Sequence, residues 1–180
     1  MPRTGFILAI LVVLCAAWPS PGVAQTGFDR PGSDYQSVAV PSGDPAACAL
    51  ICERDRKCRA WSFNYPIDSE RGAACWLKGA VPERVESNCC VSGVRGAGVL
   101  ETRNSALEVA TDRLGGDYRS IEVDANAKGE TCKAACESDN KCRAWTYARP
   151  GYIGKGARCF LKNQVKPPRR KPGFISGVIR

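Results

Sequence analysis

Histidine is absent from the 180 residues, and methionine occurs once. Without histidine no Ser-His-Asp or Cys-His nucleophile exists, and no imidazole is present to hold zinc or haem. Long apolar runs are scarce too. Only residues 6–17 (FILAILVVLCAA) form one, and it is shorter than the ~20 residues of a membrane span. That run follows Arg3 and leads through a Pro-rich stretch to Gly22-Val23-Ala24, the layout of a cleavable secretory signal. We place the signal at residues 1–24, with no transmembrane segment left after its removal. Cys15 follows Leu14 rather than a small residue, so a lipid-modified amino terminus is not expected. Acidic residues are missing from the last 41 positions, after Asp139.

Cysteine, by contrast, is abundant: 11 in all, ten of them beyond the apolar run. Cys48, Cys52, Cys58 and Cys75 recur as Cys132, Cys136, Cys142 and Cys159, each 84 residues on. Lys57-Cys58-Arg59-Ala60-Trp61 returns unchanged as Lys141-Cys142-Arg143-Ala144-Trp145, and Cys75-Trp76-Leu77-Lys78 returns as Cys159-Phe160-Leu161-Lys162. Asp34-Tyr35 matches Asp117-Tyr118 at a spacing of 83. A unit is therefore written twice. Each copy is near the lower size limit for a self-sufficient core. The expected organisation is a first domain at 25–95, a small polar connection at 96–108 and a second domain at 109–180.

Within a unit, Asp44-Pro45 marks a helix start, an acidic N-cap followed by proline at the first helical position. Ala46–Asp55 follows as a helix that sets Cys48 and Cys52 on one face. Strand-like runs surround it at Tyr35–Val40, Arg59–Tyr65, Cys75–Lys78 and Val91–Arg95. The fold class is α+β: two small disulfide-stapled domains, each one helix packed on a short antiparallel sheet.

Four cysteines per unit are able to ligate zinc or to form two disulfides. The C-x3-C spacing and export favour disulfides over zinc, and no metal or other cofactor is expected. Spacing alone leaves three pairings open. Cys89-Cys90 stands apart, because the matched positions of the second unit are Gly173 and Phe174. The fold does not require this pair. It either closes on itself, links to another chain or stays reduced, and an extra structural bridge is preferred to a redox-active role.

These residues carry a family resemblance. A Gly-x-Asp-Tyr opening, a helical C-x3-C, a Cys-Arg-Ala-aromatic strand, Cys-Trp-Leu-Lys and a closing Cys-Val-Ser-Gly-Val resemble the PAN/Apple domain, most closely its bacterial form. The resemblance covers about residues 27–95 and 110–179. It implies the pairings Cys48–Cys75, Cys52–Cys58, Cys132–Cys159 and Cys136–Cys142. It also implies a non-catalytic module that binds proteins or carbohydrates outside the cell. The end-to-end bridge of full Apple domains has no counterpart, since no cysteine lies between the signal and Cys48.

Charge singles out the second domain. Residues 25–95 carry nine basic and nine acidic groups, whereas residues 109–180 carry fifteen basic and seven acidic. Lys162, Lys166, Arg169, Arg170 and Lys171 form the candidate polyanion surface, with Lys166–Lys171 read as an exposed, proline-stiffened loop. An acidic glycan or an anionic envelope surface would suit it, and nucleic acid would satisfy the same charge but is a poor partner for an exported chain. Trp61 and Trp145, on strands that also carry Arg59, Phe63, Tyr65, Arg143, Tyr147 and Arg149, are candidate sugar-stacking residues, although a core role is the commoner fate of such a stripe. Carboxylates are the last catalytic route. Asp29, Asp34, Asp112 and Asp117 recur, but in turn-setting contexts rather than as a pair across a cleft. No enzyme activity is expected. The sequence reads as a secreted or periplasmic binding protein for a protein or a glycan. The rival reading is an assembly protein linked through Cys89 or Cys90.

Overall fold

The computed structural model describes residues 24–179 apart from 69, 102, 105, 126 and 127. Residues 1–23 of the signal expected at 1–24, with Cys15, and Arg180 at the end of the basic run, lie outside the described residues. Ala24, expected as the last residue of the signal, is wholly buried against the first unit and pairs with Val99.

The first unit runs β1 (Gln25–Asp29), β2 (Asp34–Ala39), α1 (Pro45–Arg54), β3 (Ala60–Asn64), β4 (Ala74–Lys78) and β5 (Val85–Val94). The second repeats this as β7 (Leu107–Asp112), β8 (Asp117–Val123), α2 (Gly129–Glu137), β9 (Ala144–Ala148), β10 (Ala157–Lys162) and β11 (Arg169–Val178), with the two-residue β6 (Arg103–Asn104) added beside β7. Both sheets are antiparallel, ordered β1-β5-β3-β4-β2 and β6-β7-β11-β9-β10-β8. The chain is thus two copies of one helix on an antiparallel sheet. The outer strands β1 and β7, absent from the sequence reading, are short and broken by a left-handed residue. Gly27 (φ 85°) holds that conformation in β1, and its counterpart Ala110 (φ 51°) holds it in β7. Register slips at these bulges, which interrupts the alternation that marks a strand in sequence.

α1 begins where its capping residues put it. The Asp44 carboxylate accepts from the Ala46 N–H at 3.0 Å, and Pro45 fills the first helical position. α2 starts at Lys128 with no side-chain cap. The cysteines then do the stapling. Cys48–Cys75 and Cys132–Cys159 tie each helix to the sheet, while Cys52–Cys58 and Cys136–Cys142 tie its last turn to the turn that leads into the following strand. The sulfurs pack around Trp61 with Phe63, Leu77 and Val91 in one core, and around Trp145 with Tyr147 and Leu161 in the other. Both tryptophans are 0% exposed, so Trp61 and Trp145 are core residues and present no face to a sugar. Gly177 lies so close beneath Trp145 that a Cβ would stand 2.8 Å from the indole, and Gly93 is placed the same way under Trp61.

The repeated polar residues serve the same frame. Lys78 and Lys162 end β4 and β10 inside the protein, paired with Asp34 and Asp117 at 2.5 Å. The Tyr35 hydroxyl donates to Asp55 at 2.6 Å, and Lys57 lies 4.3 Å from its ring centroid, as Lys141 does 4.7 Å from that of Tyr118. The motifs that reveal the repeat are therefore those that close each unit.

Candidate ligand cleft between the two units

The basic run is not a free loop. Arg169–Lys171 opens β11 and pairs with β7, Arg169 opposite Asp112 and Arg170 opposite Thr111. The Arg170 guanidinium forks onto Asp44 with two bonds of 2.8 and 2.9 Å and also donates to Glu101 at 2.8 Å. Lys171 pairs with Asp112 at 3.2 Å and lies 3.8 Å from the Phe174 ring centroid. Lys162, 2% exposed, is committed to Asp117. Of the five candidate residues, Lys166 and Arg169 alone carry no acidic partner among the described residues. The acids that neutralise the run lie 45 to 126 residues upstream, where a local count of charge does not find them.

Arg170 instead holds the two units together, because Asp44 is the N-cap of α1 in the first unit. Burial works to raise the Asp44 pKa, but the Arg170 hydrogen bonds and the Ala46 N–H outweigh it and hold the carboxyl below its ordinary value. The hydrogen bonds that Arg170 donates to Asp44 and Glu101 raise its own pKa in turn. Beside this ion pair the Tyr152 hydroxyl crosses to the carbonyl of Gly43 at 2.6 Å. Burial raises the Tyr152 pKa, so the hydroxyl stays a neutral donor. Farther along, the Arg149 guanidinium stacks 4.0 Å from the centroid of Tyr65 and donates to the Asn88 carbonyl at 3.3 Å. The exposed Lys155–Glu70 pair adds little.

On the far side of the Arg149–Tyr65 stack the units part, leaving a cavity of about 430 Å³. This volume lies within the usual range for ligand sites. Its walls are mostly apolar, with Ile67, Leu107, Val109 and Ile175 contributed by both units, and Cys89, Lys128, Glu130 and Arg149 supply polar or polarisable groups. Tyr147 also lines it, and its buried hydroxyl has no hydrogen-bond partner. Burial raises the Tyr147 pKa. Cys89 is exposed and bonded to the buried Cys90, so neither sulfur is left to join a second chain. The Cys89 carbonyl accepts from the Tyr65 N–H at 2.9 Å, which fixes the bridge beside the Arg149–Tyr65 stack. Sequence reasoning placed Tyr65, Tyr147 and Arg149 on strands without uniting them. The only local sign was the difference between copies, since Tyr147 stands where the first unit has Phe63 and Arg149 where it has Tyr65.

The family model of the PAN domain matches residues 28–78 and 111–162, one match in each unit. The chain belongs to the PAN domain family. PAN domains are typically binding modules for proteins or carbohydrates and are not a catalytic family. Among solved structures, the two N-terminal apple domains of microneme protein 4 from Toxoplasma gondii are similar to this tandem PAN chain. The identity is 18% and the TM-score 0.32, over 87% of this chain and 89% of that one. No curated protein sequence matches it. No helix among the described residues is long and apolar enough to cross a membrane.

Proposed function

We propose that this protein is an exported, non-catalytic binding module acting at or outside the cell envelope, and that it takes its protein or carbohydrate ligand in the cleft between its PAN units. The observation that carries this reading is the 430 Å³ cavity, walled by both units and lined by Arg149 and Tyr147. A mostly apolar cleft of this size with a few polar groups at its wall is the usual form of a ligand site. Ten bridged cysteines support export, because disulfides persist in oxidising compartments. The cleft is favoured over the basic run as the contact surface because Lys162, Arg170 and Lys171 are already neutralised within the chain.

Ala125 is exposed at the cleft wall, so Ala125→Trp narrows the cavity without touching either core. Glycan arrays and peptide libraries are to be screened with the oxidised protein and with this variant. Ligands bound by the wild type and lost in A125W support the cleft. Ligands retained in full place recognition elsewhere on the surface.

A further inference from the structure

The interface between the units follows the logic of an isologous contact, in which position i of one partner meets j of the other and j meets i. Tyr65 stacks on Arg149, which is its own counterpart 84 residues on. Gly151, the counterpart of Ile67, abuts Pro66 and the backbone of Asp68, while Ile67 and Pro150 both line the cleft. Positions on one side of the Arg149–Tyr65 stack can therefore be compared with their counterparts on the other.

One side is filled. The ring of Tyr152 lies on Gly173 so closely that any Cβ there would collide with it, meets Phe174 edge-on at 6.1 Å, stands 6.5 Å from Tyr65 and hydrogen-bonds Gly43 of the facing unit. The counterparts of Gly173 and Phe174 are Cys89 and Cys90, that of Tyr65 is Arg149, and that of Gly43 lies between Ala125 and Lys128. Cys89, Arg149, Ala125 and Lys128 all line the cavity. The counterpart of Tyr152 itself is Asp68. It has no ring, and its carboxylate is taken up by its own turn, accepting from the Glu70 and Arg71 N–H groups at 2.9 and 2.8 Å.

We infer that the cleft is the vacated twin of the Tyr152 socket and receives a tyrosine side chain presented by a protein partner. This rests on the cleft being the binding site and names what enters it. A guest ring takes the place that Asp68 leaves empty. It lies over the polarisable Cys89–Cys90 bridge where Tyr152 lies over glycine, and beside the Arg149 guanidinium where Tyr152 lies beside Tyr65. A cation next to the socket favours an electron-rich ring over an aliphatic side chain of similar size.

The test is an amide-resolved NMR titration of the oxidised full chain with N-acetyl-tyrosinamide, N-acetyl-leucinamide, galactose and glucuronate. Saturating shifts at Asn88, Cys89, Cys90 and Ile175 with the tyrosine amide are expected, with at least about fivefold weaker binding of the leucine amide. Asp68→Tyr refills the socket from within and removes the response while the spectrum stays dispersed. If that variant does not fold, Ala125→Trp reads the same loss. Equal response to both amides, or a response that survives both substitutions, overturns the inference. A sugar response at these amides without a tyrosine response overturns it too but leaves the cleft as a binding site. Silence toward all four probes overturns both readings.

Discussion

Lys78 and Lys162 are buried to their ammonium groups, each against an aspartate from the strand that pairs with its own. A lysine in a basic stretch reads as exposed in sequence, and Lys162 was placed in a polyanion surface on that ground. Its partner Asp117 precedes it by 45 residues and passes for a turn residue beside two glycines. Removing the aspartate strands a charge inside the fold. Asp117→Asn is therefore expected to destabilise the second unit by about 2–3 kcal/mol, less than for a fully enclosed pair because Asp117 is 40% exposed. Asp34→Asn should do the same to the first unit, and urea unfolding checks both. Ala110 offers the opposite case. It holds the left-handed conformation that Gly27 holds in the first unit, and Ala110→Gly should stabilise by about 0.5–1 kcal/mol in the same assay.

At the scale of elements, each unit's helix, its three inner strands and the outer strand β2 or β8 were legible because their signals are local. Asp44-Pro45 caps α1, and the cysteine spacing marks the helix that Cys48–Cys75 and Cys52–Cys58 staple. The bulged outer strands were not legible, and the basic run passed for a loop. Two prolines precede Arg169 and a third sits at 172, yet β11 forms there as the partner of β7. Residues shared by the two copies build the units, and residues that differ, such as Tyr65 and Arg149 or Asp68 and Tyr152, make contacts between them. The disulfides divide along that line. Cys132→Ser with Cys159→Ser should cost about 2–4 kcal/mol of stability, as the loss of a helix-to-sheet bridge in a small domain does. Cys89→Ser with Cys90→Ser removes a bridge that the second unit does without. It should cost under about 1 kcal/mol while altering whatever the cleft binds.

At the scale of the molecule, two small PAN units joined by a short connection would be expected to move independently. Arg170 on Asp44 and Glu101, Tyr152 on Gly43 and Arg149 on Tyr65 dock them instead. None of these contacts follows from spacing, since each joins residues that only the packing of two finished units brings together. Asp44 has its folded pKa depressed, so its contribution to docking is complete above the unfolded carboxylate value of ~4 and is lost as pH falls through the lower folded value. Small-angle scattering should show a constant, compact particle from neutral pH down to that range and expansion below it. Asp44→Asn should expand at neutral pH.

Where a ligand touches the protein separates the cleft from the basic surface as the binding site. Amide shifts of the oxidised chain, mapped with the best glycan or peptide from a screen at low and physiological salt, decide it. The prediction is a footprint on Asn88–Cys90, Arg149 and Ile175 that changes little with salt and vanishes in Ala125→Trp. A footprint on Lys166 and Arg169 that fades steeply with salt and ignores Ala125→Trp would contradict the cleft and return recognition to the basic surface.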